Sequence, residues 1–141
     1  MSIKRVEADE AAELIEKGWI LVDVRSEQEF EEGHPKGALN IPWMHKTPSG
    51  MKKNEDFEKV IKRHLQVNQE LVLTCRSGNR SLKAANAMSE WGYTKMVDLR
   101  GGFSGEKDKS GQVTCKGWEA HELPVEKGLG EKTYQDLKSE V

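Results

Sequence analysis

The chain has 141 residues, the size of one ordinary domain, and a formal net charge of −2 with the two signs interspersed along it; this describes a solvated surface and excludes the basic field that nucleic-acid binding needs. No apolar run approaches the length of a membrane span, and the start MSIKRVEADEAAEL lacks the apolar stretch of a secretory signal, which points to a cytoplasmic protein with no membrane partner. Two cysteines, Cys75 and Cys115, cannot build a disulfide framework, and the absence of CxxC or Cys/His clusters gives no reason to expect a metal.

From Val6 to Lys17 the apolar residues Ala8, Ala11, Ala12, Leu14 and Ile15 recur at helical spacing, and Gly18 follows as a C′ residue. Trp19 to Val24 is an apolar run broken only by Asp23, which fits a strand covered on both faces. Ser26 followed by Glu29 predicts a capping box and a short helix ending at Gly33. The turn GHPKGALNIP, with two prolines and two glycines, leads into a brief strand from Ala38 to Ile41. Residues 43 to 53 read as a polar loop with Trp43 and Met44 tucked beneath it, and Asn54 as the cap of a helix whose Phe57, Val60, Ile61 and Leu65 line one face.

Glu70 to Thr74 forms a buried strand that delivers Cys75 into a polar loop, beyond which Leu82, Ala85, Ala87, Met88 and Trp91 mark a helix ending at Gly92. Lys95 to Leu99 is a last short strand, and Arg100-Gly101-Gly102-Phe103 turns away from it. Residues 104 to 117 form a long polar connection, Trp118, Leu123, Pro124 and Val125 return to the core, and Lys132 to Val141 forms an exposed terminal helix. One domain is expected, with a core of about 6–127 and a tail of 128–141. Alternating strands and helices argue for an α/β fold, a central parallel sheet flanked by helices on both faces.

The loop CRSGNRS carries the chemistry. The first N–H groups of a helix lack partners within it and point outward, so a cysteine just ahead of a helix meets positive potential. Arg76 and Arg80 bracket Cys75, and both features favour a thiolate, the nucleophilic form. The plain alternative is a small buried hydrophobe, but such a residue has no need of six polar or glycine residues directly after it. In ligand-binding parallel sheets the site lies beyond the carboxyl ends of the strands, where this loop sits.

Three separated segments, LVDVR with Phe30 and the GHPKGALNIP turn, then CRSGNRS, then VDLRGGF with GWEAHELPV, resemble the rhodanese family of single-domain sulfurtransferases over residues 6 to 127. The resemblance implies a rhodanese-like fold and a thiosulfate sulfurtransferase activity with no cofactor. In it the matching cysteine, Cys75, takes the outer sulfur of thiosulfate or a persulfide as its own persulfide and passes it to cyanide or a thiol. Partners would be these small molecules and a protein persulfide. The cradle for the sulfur would be Arg76, Ser77, Gly78, Asn79, Arg80 and Ser81, with converging N–H groups and a glycine that permits a tight turn.

Several roles stay open. Either arginine holds the donor's oxygens, or one pairs with a carboxylate and shapes the loop. Ser77 and Ser81 read as hydroxyl donors to the sulfur or as local caps. In the two-domain members of the family, thiosulfate is bound by cations at the positions that match Ser77 and Glu29, and Arg76 and Arg80 are the cations available here to substitute for them. Asp23, Arg25 and His34 read as structural residues, and Cys115 as a passive surface or half-buried thiol, the alternative being a resolving cysteine. The rival enzyme class, cysteine phosphatases, needs an arginine at the sixth position after the cysteine, where this chain has Ser81. The rival of another kind is a non-catalytic rhodanese-like binding or regulatory module.

Overall fold

A computed structural model describes residues 3–130 and 133–141. In chain order the elements are β1 (Lys4–Val6), α1 (Ala8–Glu16), β2 (Ile20–Asp23), α2 (Glu27–Glu32), β3 (His34–Pro35), β4 (Leu39–Asn40), β5 (Met44–Thr47), β6 (Gly50–Lys53) and α3 (Phe57–His64). They continue with β7 (Leu71–Thr74), α4 (Asn79–Glu90), β8 (Met96–Leu99), β9 (Glu106–Lys107), β10 (Val113–Cys115), β11 (Val125–Glu126) and α5 (Tyr134–Ser139). Five strands form one parallel sheet in the order β1-β8-β7-β2-β4.

The period of two along the strands divides the core. Leu71 and Leu73 of β7 pack with Val60 and Ile61 of α3, Ala84, Ala85 and Met88 of α4, and Tyr134 and Leu137 of α5. Val72, between them, points the other way, to join Ala8 and Ala11 of α1, Phe103 and Trp118. Helices therefore cover both faces, and all four residues of β7 are buried, as a strand in the middle of such a sheet must be.

Local structure departs from the sequence reading at five places. Val6 is the end of β1 and α1 begins at Ala8; a three-residue strand is too short to show alternation beside a helix pattern. Residues 44–53 are a hairpin, β5 against β6, whose solvated β6 carries no apolar stripe. Asn54 does not cap α3: it is buried, its side chain accepts from the Asp56 N–H and donates to the Pro42 carbonyl and to the Tyr134 hydroxyl, each donation at 2.8 Å. The polar connection contains the antiparallel pair β9 and β10, which leaves Cys115 buried and not at the surface. The terminal helix, whose expected first residue Lys132 lies outside the described residues, buries Tyr134 and Leu137 and is not an exposed tail. Among the described residues no helix is long and apolar enough to cross a membrane.

Candidate active site

The sheet places Cys75 at the carboxyl end of its central strand β7, four residues ahead of the first residue of α4. The thiol is 1% exposed, and its Sγ accepts a hydrogen bond from the Gly78 N–H at 3.1 Å. Gly78 has φ +107°, a left-handed conformation that turns this amide back toward the sulfur. The loop is tied from outside: Phe103 N–H donates to the Cys75 carbonyl at 2.7 Å and Ser104 N–H to the Arg76 carbonyl at 2.8 Å. Gly101-Gly102 thus brings the chain back against the cysteine loop; a Cβ on Gly102 would lie 2.4 Å from the Cys75 carbonyl oxygen.

The two arginines of the loop separate in role. Arg80 makes a bidentate pair with Glu29, Nη1 to Oε1 at 2.7 Å and Nη2 to Oε2 at 2.9 Å. Glu29 is also the acceptor of the capping box with Ser26, so one carboxylate joins the start of α2 to the first turn of α4. Burial raises the Glu29 carboxyl, but the bonds and charge of Arg80, with bonds from Ser26, outweigh it and hold the carboxyl at about 2. The same pair holds the Arg80 guanidinium above its ordinary value. Arg76, in contrast, is exposed and forms no ion pair with any described residue.

Arg76 lines two clefts. One, about 360 Å³, is walled by Arg25, Glu29, Glu32, Phe103, Glu119 and Lys127 among others. The second, about 370 Å³, runs along Gln28, Glu29, Glu32 and Arg80 to Lys46 and Met51 of the hairpin. Of the other expected cradle residues, Ser77 is half-buried, Asn79 is exposed as the first residue of α4, and Ser81 is fully buried. Burial raises the Asp98 carboxyl against the bond and charge of Arg5, and the buried Ser81 hydroxyl and Asp98 Oδ1 have no hydrogen-bond partner among the described residues.

Beneath the site, Arg25 and Asp23 are both buried and paired at 2.8 Å, and Arg25 donates further to the Gly33 carbonyl at 2.7 Å while its guanidinium lies 4.5 Å from the Phe103 ring centre. His34 donates through Nδ1 to the Phe30 carbonyl at 2.8 Å and stacks on the Phe30 ring at 3.6 Å. These side chains hold the neighbouring loops together. Burial pushes the Cys115 thiol up, with Glu7 adding to the effect. Among the described residues no cluster of three or more His, Cys, Asp or Glu side chains is placed to hold a metal ion. Sequence reasoning missed Gly102 as the wall of the loop and Arg5 as a neighbour of Gly78; both depend on long-range register that no local pattern carries.

A family model described as "Rhodanese-like domain" matches residues 7–109. Among curated relatives, "Thiosulfate sulfurtransferase 16, chloroplastic" of Arabidopsis thaliana is 38% identical over 94 residues, covering 67% of this chain and 78% of that protein. "Thiosulfate sulfurtransferase 18" of the same plant is 36% identical over 107 residues, 74% of this chain and 79% of that protein. "Senescence-associated protein DIN1" of Raphanus sativus is 36% identical over 116 residues, 82% of this chain; the chain spans only 57% of that protein's length. Among solved structures, the crystal structure of Rv0390 from M. tuberculosis superposes with a TM-score of 0.75 at 28% identity, over 91% of this chain and all of that one.

Proposed function

The chain belongs to the rhodanese-like domain family, and on that premise we propose that it is a sulfurtransferase whose carrier is a persulfide on Cys75. The observation that carries the reading is the hydrogen bond from the Gly78 N–H to Cys75 Sγ at 3.1 Å, made at the start of a twelve-residue helix and enclosed by residues 101–104. Fixed N–H donors and a helix start stabilise sulfur anions, both the thiolate and the persulfide that replaces it.

The chemistry is two displacements at sulfur. The Cys75 thiolate attacks the outer sulfur of thiosulfate; a new S–S bond forms, the old one breaks, and sulfite leaves with the bonding electron pair. A nucleophilic acceptor, cyanide or a thiolate, then attacks the outer sulfur of the persulfide, and the Cys75 thiolate leaves. Each half conserves charge and needs no external redox agent. Arg76, exposed and in no ion pair with any described residue, takes the anionic end of the donor, and Arg80, engaged by Glu29, shapes the loop. The names of two relatives favour thiosulfate as donor; a small-molecule or protein persulfide uses the same attack.

Steady-state thiocyanate formation tests the proposal. Thiosulfate and cyanide varied together should give the parallel reciprocal lines of a ping-pong reaction, with no activity in Cys75→Ala. Converging lines, or activity that survives Cys75→Ala, would contradict it. Aryl phosphate hydrolysis is not expected: the loop's arginine is at the fifth position after Cys75 and its guanidinium is already held by Glu29. The second reading, a binding module, draws on the burial of Cys75 and predicts that no sulfur donor of any kind loads the protein.

A further inference from the structure

Arg5 lies on β1, ahead of the segment matched by the family model, and is in parallel register with Asp98 of β8. Asp98 is fully buried, and its Oδ2 accepts from Arg5 Nε at 3.0 Å. That bond carries the guanidinium over the cysteine loop. A Cβ built on Gly78 would lie 2.5 Å from Arg5 Nη2, so the cation occupies the space a side chain would take at this glycine. On its outer side Arg5 Nη1 lies 3.9 Å from Glu106, whose other oxygen accepts from Arg100. The guanidinium is thus bonded to Asp98, lies within ion-pair range of Glu106 and presents Nη2 to Gly78.

Gly78 is also the residue whose N–H reaches Cys75 Sγ. Its left-handed φ allows the amide to turn inward, but glycine has the widest backbone freedom of any residue and does not by itself keep the amide there. A charged group packed on the glycine supplies the missing restraint. Asp98 acts on this arrangement through its bond to Arg5.

We infer that Arg5 is a positioning residue for Cys75: held by Asp98, its guanidinium braces Gly78 so that the Gly78 amide stays aimed at the sulfur. This rests on the reading of Cys75 as the reacting thiol, but not on what the thiol carries. The consequence is that the edge strand β1, which contributes nothing to the clefts, sets the reactivity of the centre.

The test is the rate of Cys75 alkylation by iodoacetamide at pH 7, in a Cys115→Ala background so that one thiol is read, with thermal midpoints measured alongside. The sign of the change separates the two roles available to Arg5. A residue that merely supports the fold, when removed, loosens the loop and exposes a thiol that is 1% exposed, so alkylation speeds up. Loss of a positioning residue misaligns the donor that stabilises the thiolate, so alkylation slows. Arg5→Gln should slow it about fivefold, Asp98→Asn should do likewise, and Arg5→Lys, which keeps the charge, should recover part of the rate. Unchanged or faster alkylation in Arg5→Gln and Asp98→Asn overturns the inference; if Arg5→Gln does not fold, Arg5→Lys and Asp98→Asn carry the same comparison. Because no sulfur donor is used, slowed alkylation in a protein that never loads sulfur removes the sulfurtransferase proposal alone. Sulfur loading with alkylation indifferent to Arg5 removes this inference alone.

Discussion

Arg76 and Arg80 lie four residues apart in the same loop and have different surroundings, which makes their substitutions separable. Arg76→Ala should raise KM for an anionic donor at least severalfold with little change in thermal midpoint, because this guanidinium has no ion-pair partner among the described residues to abandon. Arg80→Ala should lower stability by about 1–3 kcal/mol in urea unfolding, because it leaves the half-buried Glu29 carboxylate without its bidentate partner. Glu29 adds a pH signature. Its carboxyl falls from the ordinary 4.5 to about 2 in the folded chain, so its contribution is fully present above about pH 4.5 and is lost as pH falls toward 2, about 3 kcal/mol at most, since solvent screens this partly exposed pair. Glu29→Gln should flatten that part of the acid limb in a pH series of urea midpoints; an unchanged limb would mean the pair adds nothing to folding. The sequence left open which arginine serves the fold, and no local pattern could have closed the question, since Arg80 and Glu29 are 51 residues apart.

The elements legible in the sequence are those whose pattern is long or whose signal is chemical. The apolar run of β2, the Ser26–Glu29 box and the apolar face of α3 are each present close to their expected bounds. What escaped are short elements stabilised by register: β1 with three residues, the solvated β5–β6 hairpin, and the β9–β10 pair. The terminal helix was legible, but its packing was not, because its two buried residues, Tyr134 and Leu137, give too few positions to define a face. Leu137→Ala should therefore cost about 3 kcal/mol in urea unfolding; a cost below about 0.5 kcal/mol, the range of surface substitutions, would mark the helix as a detached tail. Gly102→Ala tests the segment that closes the cysteine loop. Its φ is +55° and the added Cβ would meet the Cys75 carbonyl at 2.4 Å, so the loop must be displaced and loss of folded protein or a cost of several kcal/mol is expected.

At the scale of the molecule, the two apolar clusters share the strands between them. Leu71 and Leu73 belong to one, Val72 to the other, so neither cluster can open without breaking the strand that holds Cys75 in place. A single cooperative unfolding transition should follow, with tryptophan fluorescence and far-UV circular dichroism changing at the same urea concentration. Separate transitions would divide the chain into independent units. The α/β class and the placement of the Cys75 loop at the carboxyl end of the central strand were legible because alternation of strands and helices fixes topology and topology fixes where loops cluster. The bracing of that site by Arg5 and Gly102 was not, because it joins segments that meet only once the sheet is assembled.

The central claim is that Cys75 carries the transferred sulfur. Its most direct test is the intact mass of the protein after exposure to thiosulfate, and again after cyanide, with Cys75→Ala and Cys115→Ala alongside. The protein should gain one sulfur atom, in a step that requires Cys75, is indifferent to Cys115 and is reversed by cyanide as thiocyanate appears. A protein that gains no sulfur from thiosulfate or from any persulfide donor, or one that gains it equally in Cys75→Ala, would contradict it.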